Sequence, residues 1–269
     1  MPVYFFALSF SEHINWPKAI LLWAILHLLL YPSSNGYNSY MDRDTTSIGG
    51  IKHPLLPTYQ LFVVSICMDL LCLFCSLLLS PLVTICLCCY MLFSRLYSWR
   101  KIRLKKYPII GYLTVVLNQG ALVFFLVLNG VSTSSEIMIP YSLLLAASLL
   151  IGGFYPITQI YQHEADQKDQ VNTLSLLLGK RGTFFFCLVL YITAFSILFF
   201  NFKGTDNLLQ FFILQLFFIP VIYYFLGWFI RVWKNEMEAD FTQTMRMNWI
   251  ASICTNAAFV TLLILKHFG

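Results

Sequence analysis

The chain has 269 residues, of which 59% are hydrophobic and only 11% are charged, and it contains 25 Phe and 15 Tyr. Soluble domains average about 25% charged residues, so this composition excludes an ordinary soluble domain and indicates an integral membrane protein. The net charge of +5 is small and no nucleic-acid-binding motif occurs, so we expect no nucleic acid partner.

Long apolar runs predict eight membrane-spanning helices, each close to the ~20 residues that cross the hydrocarbon. In chain order they lie at 17–34, 57–79, 81–96, 107–130, 139–162, 183–201, 207–231 and 248–266. Residues 3–11 form a shorter apolar stretch, which predicts a partial first helix and, without a basic region or cleavage site, no secretory signal peptide. The predicted fold is all-α, a polytopic membrane bundle of eight to nine transmembrane helices in a single domain over residues 1–269.

The basic residues indicate how the spans are oriented. If the spans alternate in direction, 14 of the 17 Lys and Arg residues fall at one end of the bundle, and only Lys18, Lys203 and Lys266 fall at the other. Lys and Arg concentrate in cytoplasmic loops. We therefore expect a multi-pass protein of a plasma or organelle membrane, with its basic end in the cytoplasm.

A polar segment, NGYNSYMDRD (residues 35–44), follows the first long span. Asn35, Asn38 and Asp42 are spaced i, i+3, i+7, so they share one face if the helix continues that far. Polar and acidic groups beside a bilayer are costly unless they bind something.

A second polar segment, QIYQHEADQKDQ (residues 159–170), ends a helix four spans later and therefore lies at the same end of the bundle. A continuing helix would align Gln159, His163 and Asp166 with Asp169 or Gln170. Two sets of carboxylates facing one cavity suit Mg²⁺, which completes its coordination with water and phosphate oxygens. The alternative is that both segments are solvated helix ends.

The segment RLYSWRKIRLKKYP (residues 95–108) lies between them and carries six cations within twelve residues. These cations could set membrane topology or contact anionic lipid. Beside two acidic segments, they could instead bind phosphate.

Other polar residues lie inside predicted spans. For Asp69 the sequence allows two roles, helix–helix hydrogen bonding or support of the site. Asn118 and Gln119 are expected to join helices, with cavity lining as the alternative. Tyr155 and Tyr161 are expected to pack, although an aromatic face could also shelter an isoprenoid or a developing cation. No HExxH, GxxxxGK[ST] or GxSxG motif is present.

At these segments the chain resembles the UbiA-type family of intramembrane prenyltransferases, over about residues 17–200. The first polar segment contains N-S-Y-M-D (residues 38–42), which is similar to the NDxxD-like motif of the family. YQHEADQKDQVNTLSLLLGKR is similar to its second Asp-rich motif. LYSWRKIRLKKYP with NQGAL is similar to the segment between the two.

The resemblance implies a nine-helix bundle with a central cavity for an allylic prenyl diphosphate and Mg²⁺. Carried over by position, the metal ligands would be Asn38, Asp42, Asp166 and Asp169. The diphosphate would contact Asn38, Arg103, Lys105, Gln162 and Asp169, and Asp42, Asp166 and Lys105 would be catalytic. The chain departs from the family pattern at Ser39, at Thr46 (with Asp44 nearby) and at Gln170.

The predicted function is therefore Mg²⁺-assisted transfer of a prenyl group from a prenyl diphosphate to an aromatic or lipophilic acceptor within the membrane. The acceptor and the length of the prenyl chain are not predicted. The alternatives are a transporter or a catalytically degenerate ligand-binding protein that uses the same cavity. A phosphatidyl-alcohol transferase would need a DGxxxAR-type signature, which is missing.

Overall fold

The computed structural model describes residues 2–43, 47–134 and 136–267, and over these ranges the protein is a bundle of helices without a β-sheet. Ten helices run in chain order: α1 Pro2–Phe10, α2 Trp16–Asp42, α3 Tyr59–Ser76, α4 Pro81–Ser98, α5 Pro108–Gly130, α6 Tyr141–Gln159, α7 His163–Lys168, α8 Leu174–Gly204, α9 Leu208–Lys234 and α10 Phe241–His267. Single 3₁₀ turns cover Leu104–Lys106 and Glu236–Glu238.

Eight of these helices, all except α1 and α7, are long and apolar enough to cross a membrane. Large apolar side chains are exposed on the outer surface of the bundle, among them Phe74, Phe185, Phe200 and Leu216. In water such a surface would be strongly unfavourable, whereas in lipid it is the expected outer surface. The chain is therefore an integral multi-pass membrane protein, and the predicted all-α fold is confirmed.

The connections between helices meet at two ends, as alternating spans require. At one end the Asn15 N–H donates to the Val131 carbonyl at 2.8 Å, and His267 Nε2 lies 3.2 Å from the Ser11 carbonyl. The other end carries Arg43 and the polar segments around residues 47–58, 99–107, 160–173 and 235–240, and we call it the basic end.

The short helix α1 is a buried part of the core. It packs against α5 and α10: the ring of Phe6 lies 4.8 Å from that of Phe124 and stacks at 4.5 Å on Phe259. The Tyr4 hydroxyl donates to the Ala19 carbonyl at 2.7 Å and joins α1 to α2. The predicted partial first helix is therefore present.

Two of the spans contain a π-helical turn, Ile25–Leu30 in α2 and Leu117–Leu122 in α5. Single π turns inside α-helices often occur at functional sites because they re-aim side chains. The turn in α5 includes Gly120, where a Cβ would lie 2.5 Å from Ser148 Cα on α6. Only glycine allows this close contact between α5 and α6.

The structure differs from the sequence prediction around the second polar segment. Helix α6 ends at Gln159, the chain turns, and α7 is a separate helix of six residues (His163–Lys168). The prediction of one continuous helical stripe from Gln159 to Asp169 is therefore wrong. Helix α8 begins at Leu174, nine residues before the predicted start at 183. Its first turns are separated from the predicted span by a kink at Gly179, whose φ of 69° favours glycine.

Candidate active site

A cavity of about 1110 Å³ opens between the helices at the basic end. Its walls come from α2, α4, α5, α6 and α7, with Leu61 of α3 and the connections that follow α2, α4, α6 and α7. Both acidic segments contribute to it, and so does the basic segment between them. The predicted site residues that line it are Asn38, Asp42, Lys105, Gln162, Asp166 and Asp169.

Asp42 is the last residue of α2, where the partial negative charge of the helix dipole disfavours a carboxylate. Three cations compensate. Arg100 donates to the Met41 carbonyl at 2.5 Å and to the Asp42 carbonyl at 3.4 Å, which caps the helix. Lys105 forms an ion pair with the Asp42 carboxylate, and an Arg103 nitrogen lies 3.3 Å from it. Asp44 and Thr46 lie outside the described residues.

Arg103 joins the two acidic segments. It is 5% exposed, and its guanidinium forms an ion pair with Asp169 in addition to its contact with Asp42. Burial acts to raise the pKa of Asp169, but the hydrogen bond and charge of Arg103 outweigh it and hold that pKa below its usual value. The backbone of Arg103 has a φ of 50°, a left-handed conformation that is costly for this residue type.

Asp166, on α7, has no such partner. Its carboxylate accepts a hydrogen bond from Thr173 Oγ1 at 3.3 Å, and it forms no ion pair within the described part of the chain. Burial raises its pKa to about 6; the charge of Lys105 and the Thr173 hydrogen bond oppose this rise, and the nearby carboxylates of Asp42 and Asp169 add to it. A buried carboxylate with a raised pKa and no ion pair is well suited to bind a metal cation.

Two neutral side chains complete the predicted set. Asn38 accepts a hydrogen bond from Ser98 Oγ at 2.6 Å, which joins α2 to α4 at the cavity wall. Gln162 donates to the Ser47 carbonyl at 3.4 Å and to the Tyr161 hydroxyl at 3.0 Å. Gln162 therefore connects the second acidic segment to the connection that follows α2.

Two other residues of the predicted second stripe lie outside the cavity lining. His163 Nε2 lies 2.8 Å from Ser175 Oγ, and burial together with Lys180 lowers the pKa of His163 to about 4, so it is neutral at pH 7. Gln170 sits in a left-handed turn with a φ of 54°. The turn after α6 is what redirects both residues.

Asp69 holds the bundle together and does not line the cavity. Its carboxylate forms an ion pair with Arg95, and both side chains hydrogen-bond Ser33. The Arg95 guanidinium also lies over the Tyr37 ring, 4.2 Å from its centroid. This group joins α2, α3 and α4, which decides between the two predicted roles in favour of helix–helix contact.

A row of polar residues on α4 lines the cavity and was not predicted from the sequence. Tyr90, Ser94 and Tyr97 line the cavity, and their i, i+4, i+7 spacing on one helical face is a signal that could have identified them. The Tyr97 and Tyr155 hydroxyls are hydrogen-bonded, and Gln159 Nε2 donates to Tyr155 at 2.9 Å. Tyr155 therefore belongs to the site as well as to the packing.

The oxygen atoms in the cavity fit Mg²⁺ better than they fit a metal held wholly by protein. No group of three or more His, Cys, Asp or Glu side chains in the described ranges could hold an ion alone. Asp42 and Asp166 do line one cavity. Gln159 lines it too, and its Oε1 is buried without a hydrogen-bond partner among the described residues. Mg²⁺ typically takes one or two carboxylates and completes its shell with phosphate and water oxygens.

Comparison with known proteins gives a family and a fold. The model of the UbiA prenyltransferase family matches residues 1–251. No curated protein matches the chain significantly. Two similar solved structures are UbiA homologues. The apo protein of Aeropyrum pernix K1 is 18% identical with a TM-score of 0.71, covering 97% of this chain and 95% of the other.

The second homologue, from Archaeoglobus fulgidus bound to GPP and Mg²⁺, is 15% identical with a TM-score of 0.70, covering 97% of this chain and 94% of the other. A structure reported for digeranylgeranylglyceryl phosphate synthase is 19% identical with a TM-score of 0.63, covering 98% and 91% of the two chains. At these identities the similarity shows a shared fold.

Proposed function

The chain belongs to the UbiA prenyltransferase family, and on that premise we propose that it transfers a prenyl group from an allylic prenyl diphosphate to a lipophilic acceptor within the membrane. The observation that carries this proposal is the meeting of Asp42, Lys105 and Asp166 in one cavity. Homologues of the same fold were solved with GPP and Mg²⁺ and with DMAPP and Mg²⁺, which supports this class of donor.

We assign Mg²⁺ to the oxygens of Asp42 and Asp166, with Asn38 and Asp169 beside them. Bound Mg²⁺ would neutralise the diphosphate and make it a better leaving group. Asp166 suits this role because it carries no ion pair in the described structure.

Lys105 and Arg103 are the proposed diphosphate ligands. Both contact Asp42. Lys105 lines the cavity, whereas Arg103 is buried behind it and is also paired with Asp169. Binding of a cation to Asp42 would weaken both contacts with that carboxylate and leave the two side chains available to the diphosphate oxygens. Arg offers a planar, bidentate set of donors for phosphate, and Lys a compact charge.

In the proposed reaction the allylic C–O bond breaks and the diphosphate leaves with the electron pair. The allylic carbon then bonds to a nucleophilic atom of the acceptor, which loses its proton to the released diphosphate. The rings of Tyr97 and Tyr155 line the cavity beside the acidic residues and offer π faces to the cationic carbon.

Purified protein in detergent, incubated with radiolabelled geranyl diphosphate and a panel of lipophilic acceptors, tests this function. We expect donor binding and transfer that depend on Mg²⁺ and stop when EDTA is added. Absence of Mg²⁺-dependent donor binding would contradict the proposal.

A second candidate is a non-catalytic binder of prenyl diphosphates. The ion pairs of Lys105 and Arg103 with Asp42 favour it, because they occupy a carboxylate that catalysis needs. Tight Mg²⁺-dependent binding of geranyl diphosphate without release of diphosphate, for every acceptor tried, would support this candidate.

We also propose that the basic end faces the cytoplasm, since 14 of the 17 Lys and Arg residues belong to it. A single added cysteine in the connection after α4 should then be protected from a membrane-impermeant thiol reagent in intact cells. Labelling there would reverse the assigned orientation.

A further inference from the structure

The inner part of the cavity, away from the basic end, is lined by residues that we call the cavity floor: Ser34, Tyr90, Ser94, Asn118 and Gln119. Ser34 precedes Asp42 on α2, so at 1.5 Å per residue it lies about 12 Å deeper in the bundle. Asn118 and Gln119 stand on the π turn of α5. The floor is therefore well separated from the acidic residues.

All five residues of the cavity floor are neutral and can hydrogen-bond. The charged residues that line the cavity stand on the segments of the basic end instead: Asp42, Arg43, Lys105, Asp166, Lys168 and Asp169. Arg95 follows Ser94 directly but does not line the cavity. Its Nε and Nη2 bind Asp69 and Ser33, so its charge is paired, and its Nη1 is buried without a partner among the described residues. In the described structure no ionised Lys, Arg, Asp or Glu side chain lines the floor.

The cavity floor also has an unused acceptor. Asn118 is 7% exposed, and its Nδ2 donates to the Tyr90 carbonyl at 3.0 Å, which fixes the orientation of its amide. Its Oδ1 is buried without a partner among the described residues. A buried acceptor without a donor is unfavourable, and a hydroxyl of a bound molecule would supply the missing donor.

We propose that the cavity floor binds the acceptor, and that the acceptor is an uncharged ring or alcohol carrying at least one hydroxyl. This inference rests on the proposed function and deepens it. A carboxylate or phosphate on the acceptor would enter the floor without a cation, and an unpaired charge at that depth is strongly disfavoured. Arg43, Lys105 and Lys168, the cations that line the cavity, stand at the basic end and not on the floor.

Two probes with the same ring system test the inference: 1,4-dihydroxynaphthalene and its 2-carboxylate. Transfer from radiolabelled geranyl diphosphate is measured with the full chain in detergent with Mg²⁺. We expect the uncharged probe to have a kcat/KM at least about tenfold higher, which reflects the cost of the buried charge.

The variant Gln119→Leu removes a hydrogen-bonding group from the floor at similar volume. It should raise the KM for the uncharged probe about tenfold and leave the Kd for geranyl diphosphate unchanged. Gln210→Leu makes the same chemical change on α9, outside the cavity lining, and should change neither.

The outcomes separate the inference from the function. Preference for the carboxylate probe, or an unchanged KM in Gln119→Leu, with intact donor binding would overturn the inference alone. If donor binding and transfer both fail, the proposed function is wrong. Equilibrium binding of tritiated 1,4-dihydroxynaphthalene then tests the floor site independently of catalysis. Weaker binding to Gln119→Leu than to Gln210→Leu would support a floor site, and equal binding would overturn it.

Discussion

The two acidic segments of the cavity differ in how the charge of their buried carboxylate is compensated. Asp42 ends a long, continuous helix and is held by Lys105 and Arg103. Asp166 stands on a six-residue helix, is hydrogen-bonded to Thr173, and keeps a raised pKa of about 6. One carboxylate is neutralised by the protein itself, whereas the other is buried at an energetic cost that a bound cation would relieve.

This difference indicates that Asp42 contributes to the stability of the fold and Asp166 to ligand binding. The interactions of Asp42 stabilise the fold, since they connect α2 to the connection between α4 and α5. The position of Asp166 contributes to ligand binding, because its burial brings no ion pair in the described structure. We expect substitution of either residue to lower the activity. Substitution of Asp42 should also lower the stability of the protein, whereas substitution of Asp166 should preserve or raise it.

The largest expected effect is on turnover. Asp42→Asn and Asp166→Asn should each lower kcat/KM for prenyl transfer by about 100-fold or more, because each removes a carboxylate assigned to hold the Mg²⁺ that would neutralise the leaving diphosphate. Glu136→Gln, an exposed change outside the cavity, is the matched control and should keep full activity. Wild-type rates in either Asn variant would remove that residue from the mechanism.

The stability of the same variants should separate the two segments. Asp42→Asn leaves Lys105 and Arg103 beside a neutral amide and should destabilise the protein by about 3 kcal/mol. Asp166→Asn removes a buried charge that has no ion pair and should preserve or raise the melting temperature at pH 7. Thermal unfolding in detergent measures both, and a matching loss in Asp166→Asn would contradict the distinction.

The pH dependence of metal binding should follow Asp166. A pKa raised to about 6 means that the carboxyl is protonated below that pH, so Mg²⁺ affinity should fall about tenfold per unit as pH drops below 6. Without metal the sign reverses: the raised pKa makes the ionised group unfavourable, so the protein gains stability as pH falls from about 6 towards 4. Calorimetric Mg²⁺ titrations between pH 5 and 8 test this. The fall in Mg²⁺ affinity below pH 6 should be absent in Asp166→Asn.

The smallest expected effect concerns the hydrogen bond to Asp166. Thr173 Oγ1 donates to this carboxylate and lowers its pKa, so Thr173→Val should move the midpoint of Mg²⁺ binding to higher pH. The loss of affinity at pH 6 should be about threefold, the value of one ordinary hydrogen bond. An unchanged midpoint would show that Thr173 only caps α8, where it also accepts from the Leu176 N–H at 3.3 Å.

Helical spacing predicted the first acidic segment well and the second poorly, for a physical reason. Asn35, Asn38 and Asp42 share a face because α2 does continue to Asp42. The second segment breaks after Gln159, where the chain turns into a short helix, and a turn of that kind has no simple period. The row on α4 was predictable by the same spacing, but its residues are ordinary Tyr and Ser.

The sequence by itself determined the class, the spans and the end of the bundle that carries the site, because apolar run length and the distribution of Lys and Arg are set by the bilayer. Only the tertiary structure decided how the polar groups pair. It placed Asp69 with Arg95, Asp42 with Lys105, and left Asp166 without an ion pair in the described residues. Such pairing depends on which helices become neighbours, and neighbours distant in sequence leave no local pattern.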